Sequence, residues 1–146
     1  MKIEYNNLYI HYVLITKDRF PFIKSEHRSR IESYISGIIS NHNSKMYAIY
    51  ANPEHLHFLA SRSPAISDEV FLSRIADSSE KLINENSFSN GKFAWQQSAS
   101  AFSVSKADID KVCRYILNQP EHHKKKTFQQ EYDEFIKFYQ QTIKWE

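Results

Sequence analysis

One cysteine, Cys113, is present in the whole chain. No intrachain disulfide can form, and a thiolate-rich zinc centre cannot be built. A reducing cytosol suits such a composition. Glycine and proline are scarce, at two and four residues, so connections between elements are short. No apolar run reaches the roughly 18 residues of a membrane span. The opening Met1-Lys2-Ile3-Glu4-Tyr5-Asn6-Asn7 lacks the long apolar stretch of a secretory signal. A cytoplasmic protein with no membrane partner is expected. An excess of one charge is lacking too. The formal net charge of +2 does not by itself argue for nucleic acid, so any basic surface must be local. No internal repeat or low-complexity stretch is visible.

What is present is an aromatic-rich chain of 146 residues, 41% hydrophobic, with ten Phe and nine Tyr. Its length predicts one domain, 1–146, with a sizeable core. Residues 8–16 are apolar, β-branched or aromatic and predict a buried strand. Residues 25–42 carry Ile31, Tyr34, Ile35, Ile38 and Ile39 at helical spacing after Ser25, a candidate N-cap. Residues 45–51 and 55–61 predict strands joined by Asn52-Pro53-Glu54. Residues 67–85 predict a second amphipathic helix capped by Ser67, and 86–92 a polar loop. Residues 93–103 predict a strand, and 105–119 a third helix with Ser105 as N-cap and Pro120 at its end. Residues 127–142 predict a last, aromatic-rich helix. The order predicts an α+β fold, with helices packed on one face of a mainly antiparallel sheet.

Two short patterns carry chemistry. His55-Leu56-His57 places two imidazoles at i and i+2 on one strand face. Tyr115-Ile116-Leu117-Asn118-Gln119 places a phenol and an amide at i and i+4 on one helix face. If the two elements pack together, His55, His57 and the Gln119 oxygen can hold a metal beside Tyr115. Two imidazoles and a neutral amide oxygen suit a weakly held Mg²⁺ or Mn²⁺ with open positions rather than closed structural zinc. Tyr115 is the candidate nucleophile. A phenol with its ordinary pKa of about 10 needs help to ionise. Each pattern also has a plain structural reading: histidines satisfied within a strand, and a tyrosine at a helix–sheet boundary. Lys106, Lys111, Arg114, Lys124, Lys125 and Lys126 form the candidate DNA-binding cluster, with Lys17, Arg19 and Arg62 as further phosphate contacts. The bland reading of Lys124-Lys125-Lys126 is a solvated helix end. His122 and His123 are read as a solvated turn, His11 as a satisfied strand histidine, and Trp95 and Phe102 as core.

At these residues the chain resembles the single-tyrosine HUH transposases, the small transposases of simple insertion sequences, and their repeat-associated tyrosine transposase relatives. Asn52-Pro53-Glu54-His55-Leu56-His57-Phe58-Leu59 is similar to the family's histidine strand, and Tyr115 to Gln119 to its nucleophile helix. Leu8 to Val13 with Thr16-Lys17-Asp18-Arg19, and Phe93 to Gln96 with Ala101 to Ser105, fit as well. One departure is Gln97-Ser98-Ala99-Ser100, where many relatives have glycines and an aromatic. The resemblance implies a ferredoxin-like (RRM-like) sheet. It also implies a DNA transposase that cleaves and rejoins single-stranded DNA at hairpin-bearing ends through a 5′-phosphotyrosine, with metal assistance. It implies a homodimer too, in which Tyr115 and Gln119 of one chain face His55 and His57 of the other. An exposed sheet edge would suit pairing of two copies. Two other readings stand beside this one. One is a non-catalytic single-stranded nucleic-acid-binding module with an RRM-like fold, though no RNP1-like pattern is present. The other is a metal-dependent phosphodiesterase that uses water.

Overall fold

A computed structural model describes residues 1–138, apart from the side chains of His122, His123, Phe135 and Phe138. Its elements run β1 (Tyr9–Thr16), α1 (Arg28–Asn41), β2 (Met46–Ala51), β3 (His55–Ser61), α2 (Asp68–Glu85), β4 (Trp95–Val104), α3 (Ile109–Leu117), α4 (Gln119–Lys125) and α5 (Phe128–Phe138). The first six form the β-α-β-β-α-β unit of ferredoxin-like folds. The strand order is β2-β3-β1-β4, with antiparallel neighbours throughout. The expected α+β, antiparallel architecture is therefore present.

Strand periodicity sorts the core. Tyr12 and Leu14 of β1 and Leu56, Phe58 and Ala60 of β3 point to one face. There they meet Ile31, Ile35 and Ile39 of α1 and Phe71, Ile75 and Ile83 of α2, all fully buried. The residues between them point the other way: His11, Val13 and Ile15 of β1, and His55, His57 and Leu59 of β3. The expectation of helices on one face describes α1 and α2. The opposite face is covered as well. Ile116 of α3 packs on Ala48, Leu59 and Val104. Phe128, Tyr132 and Ile136 of α5 pack on Val13, Ile15 and Phe102. Apolar residues on both sides of β1 and β3 require two covers, which is why these central strands read as nearly continuous apolar runs.

Several local details differ from expectation. Ser67 caps α2 as expected, its Oγ accepting from the Val70 N–H at 3.2 Å. Ser25 instead begins a 3-10 turn, Ser25–His27, ahead of α1. The Ser105 hydroxyl bonds the Asp108 carboxylate at 3.0 Å rather than a backbone N–H. The third helix breaks at Asn118, and Pro120 lies in the first turn of α4, where a missing N–H costs nothing. The last expected helix is present as α5 to Phe138, and the remainder of the 127–142 span lies outside the described residues. With glycine so scarce, left-handed corners fall on Asp18, Arg19, Asn43 and Ser87 as well as Gly91.

A candidate metal and nucleophile site on the sheet

The site lies on the face covered by α3 to α5. Strand register builds its floor. His57 stands opposite Val13, and His11 opposite Leu59, so His11 and His57 are diagonal neighbours on one face. Their rings meet, with His11 Nε2 2.9 Å from His57 Nδ1. His55, His57 and His11 are all buried. Burial, assisted by His57, lowers the His11 pKa well below its usual value. Burial also lowers the His55 pKa to about 4, outweighing the Glu54 carboxylate, which raises it. Both rings are therefore neutral near pH 7, the state that offers a nitrogen lone pair.

The roof comes from the C-terminal helices. Tyr115, at the end of α3, donates its hydroxyl to Glu131 Oε1 on α5. The same oxygen lies 3.4 Å from His57 Nε2 and 3.2 Å from Gln119 Nε2. Burial by itself raises the Glu131 pKa, but hydrogen bonds from His57 and Tyr115 outweigh it and hold the carboxyl well below the usual range. The Tyr115 phenol is pushed well above its ordinary pKa, first by burial and then by the Glu131 carboxylate. Gln119 is fully buried, and its Oε1 accepts from Asn52 Nδ2 at 3.3 Å. The break at Asn118 leaves the i, i+4 pairing intact, since Gln119 Nε2 donates to the Tyr115 carbonyl at 3.3 Å.

Ligating atoms of His55, His57 and Glu131 lie within 4.8 Å of one another, close enough to hold one cation. Two imidazole nitrogens and a carboxylate oxygen, with the Gln119 amide beside them, are nitrogen and oxygen donors of the kind that divalent cations take. The donor set fits a divalent cation. Glu131 was not among the residues singled out in the sequence. Its signal there is faint: a carboxylate inside the apolar stripe Phe128, Tyr132, Ile136 of a short helix. His11, expected as a satisfied strand histidine, meets a site residue through its Nε2.

The other predicted residues are distributed unevenly. Lys106, Lys111, Arg114, Lys124, Lys125 and Lys126 are all exposed on the segment that carries Tyr115. Lys124 pairs with Glu121 at 3.1 Å and Lys126 with Glu134 at 2.5 Å. Arg19 lies at the rim of the site, its guanidinium 5.6 Å from the centre of the Phe128 ring, which in turn packs 3.9 Å from the His55 ring. With Lys17, Gln96 and Gln97 it lines an open cleft of about 680 Å³. Arg62 is engaged by Asp68 at 2.8 Å. Trp95 and Phe102 are core, and the Trp95 indole donates to Ser79 at 3.0 Å. His122 and His123 lie in α4, with their side chains outside the described residues.

Within the single chain, Tyr115 and Gln119 meet His57 and Glu131 of that same chain. Only Ser105 separates β4 from the 3-10 turn Lys106–Asp108 that leads into α3.

Two solved structures share the fold. One is the crystal structure of a candidate transposase from Deinococcus radiodurans, with a TM-score of 0.61 at 18% identity, covering 82% of this chain and 96% of that one. The other is a REP-associated tyrosine transposase bound to a REP hairpin, with a TM-score of 0.58 at 13% identity, covering 84% of this chain and 74% of that one. At these identities the likeness speaks for the fold. No curated protein matches this chain at a significant level. No helix among the described residues is long and apolar enough to cross a membrane. Residues 4–119, a span that includes both histidines, Tyr115 and Gln119, match the model of the IS200-like transposases, and this chain belongs to that family.

Proposed function

We propose that this transposase-family chain cleaves and rejoins single-stranded DNA at hairpin-bearing ends through a 5′-phosphotyrosine on Tyr115, aided by Mg²⁺ or Mn²⁺. One observation carries this reading: a tyrosine hydroxyl bonds a carboxylate that clusters with two buried strand histidines, with a buried amide beside them on one sheet face. His55, His57, Glu131 and Gln119 are the groups that would hold the cation. When bound, it supplies positive charge that favours the phenolate and offsets charge developing on the scissile phosphate.

The remaining steps belong to the chain's own residues. The Tyr115 hydroxyl, directed at Glu131, loses its proton through that contact as its oxygen bonds the phosphorus. The bond from phosphorus to the 3′ oxygen breaks, and that oxygen takes up a proton to leave a 3′-hydroxyl. An incoming 3′-hydroxyl reverses the exchange without ATP, because the ester conserves the bond. The exposed lysines and Arg114 beside the nucleophile, with Lys17 and Arg19 at the cleft, would neutralise backbone phosphates. A homodimer that shares its active sites remains part of the proposal. It would pair exposed sheet edges such as β4 and set Tyr115 and Gln119 of one copy beside His55 and His57 of the other.

Covalent trapping tests this reading. Wild-type protein, a hairpin-bearing single-stranded oligonucleotide and Mn²⁺ should yield an adduct that survives denaturing electrophoresis. Tyr115→Phe should abolish it while leaving hairpin binding nearly unchanged. A Phe variant that still forms the adduct moves the nucleophile elsewhere. Binding by the wild type with neither adduct nor cleavage would favour a non-catalytic module, and cleavage without adduct a water-using phosphodiesterase.

A further inference from the structure

The turn that joins β2 to β3, Asn52-Pro53-Glu54, lies against the histidine strand, and nothing so far gives it a role. It is held from several sides. The Asn52 N–H bonds the His55 carbonyl at 2.8 Å, and the Pro53 carbonyl accepts from the Ile23 N–H at 3.0 Å. The Glu54 carbonyl accepts from both the N–H and the hydroxyl of buried Thr16, at 3.0 and 2.9 Å. Proline at the second position of such a turn removes torsional freedom as well.

The side chains of this turn belong to a chain of hydrogen bonds in which each role is forced by the one before. Gln119 Nε2 faces the Tyr115 carbonyl at 3.3 Å and the Glu131 carboxylate at 3.2 Å. Both only accept, so that end of the amide is its NH₂ and the other end its oxygen. The oxygen lies 3.3 Å from Asn52, which must therefore present its own NH₂. The same NH₂ lies 3.2 Å from His55 Nε2. A donor facing Nε2 requires a lone pair there, and the ring proton then sits on Nδ1. Nδ1 lies 2.7 Å from Glu54 Oε1, a carboxylate that accepts it.

Resting on the divalent-metal reading above, we propose that Glu54 is a positioning residue of the centre. It fixes His55 in the Nδ1–H tautomer and so leaves on Nε2 the lone pair that the Asn52 amide meets in the metal-free chain and that a cation would take in its place. The physical reason is that a cation binds a ring nitrogen only through its lone pair. A carboxylate on the far nitrogen sets the tautomer, locks the ring plane and raises ligand basicity.

Two measurements test this. In metal-free protein, long-range proton–nitrogen NMR should find His55 protonated at Nδ1, and Glu54→Ala should shift it toward the Nε2–H form. In Mn²⁺ titrations followed by EPR, Glu54→Ala should weaken binding roughly 10- to 100-fold. Glu54→Gln keeps an acceptor oxygen and should recover both the tautomer and most of the affinity. An Nε2–H His55 in the wild type overturns the proposal. So does unchanged Mn²⁺ affinity in folded Glu54→Ala while His57→Ala loses it. A wild-type chain that binds no Mn²⁺ even though His55 is protonated at Nδ1 removes the metal reading itself, and the positioning role with it.

Discussion

His55 is a base kept neutral by its surroundings, and that has a consequence for stability. Its ordinary pKa is 6.5, and burial lowers it to about 4 in the folded chain. Above pH 6.5 the ring is neutral in both folded and unfolded states, and no stability is lost. As pH falls from there toward 4, the unfolded chain binds a proton that the folded chain refuses, so stability declines through that window. Each unit of the gap is worth about 1.4 kcal/mol. Buried His11, also lowered, acts in the same direction. Metal-free protein denatured with urea in chelator should lose on the order of 2–3 kcal/mol between pH 7.5 and 4.5 from His55 alone, with a further loss from His11. His55→Gln should flatten part of that slope. A wild-type profile level across the window would mean that the histidines are not buried as neutral rings.

At the scale of elements, the site depends on how α3 and α5 are laid over the sheet. The short helix α3 has one fully buried side chain, Ile116, which packs on Leu59 of the histidine strand beside Tyr115. A helix of 9 residues has little stability of its own, so its position comes from this contact. Ile116→Ala should cost about 2–4 kcal/mol through lost burial and the cavity left behind. It should also reduce adduct formation more than hairpin binding, because it loosens the nucleophile and leaves the exposed lysines in place. Equal losses of both would show that α3 seats the nucleophile by some other contact. The resemblance pointed to Tyr115 and Gln119 as one helix face. They lie on either side of a break, and the pairing survives because Asn118 closes one helix while Pro120 opens the next.

For the whole molecule, a formal charge of +2 conceals a local excess, since residues 106–126 hold six Lys and Arg against three Asp and Glu. The exposed cluster from Lys106 to Lys126 should make DNA binding fall steeply with salt, by a slope of about 0.7 per phosphate neutralised on a single strand. The Lys124–Glu121 and Lys126–Glu134 pairs are exposed and cost little to open. Lys111→Ala with Lys125→Ala should lower the slope by roughly 1.4, and an affinity independent of salt would reduce the cluster to a solvated face. A mixing experiment addresses assembly. Tyr115→Phe and His57→Ala chains, each inactive alone, should partly recover cleavage when combined, because a shared site places both lesions in one of the heterodimer's two sites. No recovery in heterodimers shown to form would mean that each site is built within one chain, as the contacts of Glu131 with Tyr115 and His57 allow.

The sequence alone was enough for the element order, the antiparallel α+β class and the strand face shared by His55 and His57. These follow from periodicity, which local covalent geometry imposes wherever the chain lies. It also marked Tyr115 and Gln119 through their spacing. Only the tertiary structure decided that a second layer of helices covers the other sheet face, bringing Glu131 onto His57 and Tyr115. It alone made His11 a partner of His57, by way of strand register. These are contacts between residues far apart in sequence. Their partners are selected by how whole elements pack, and no local pattern records that choice.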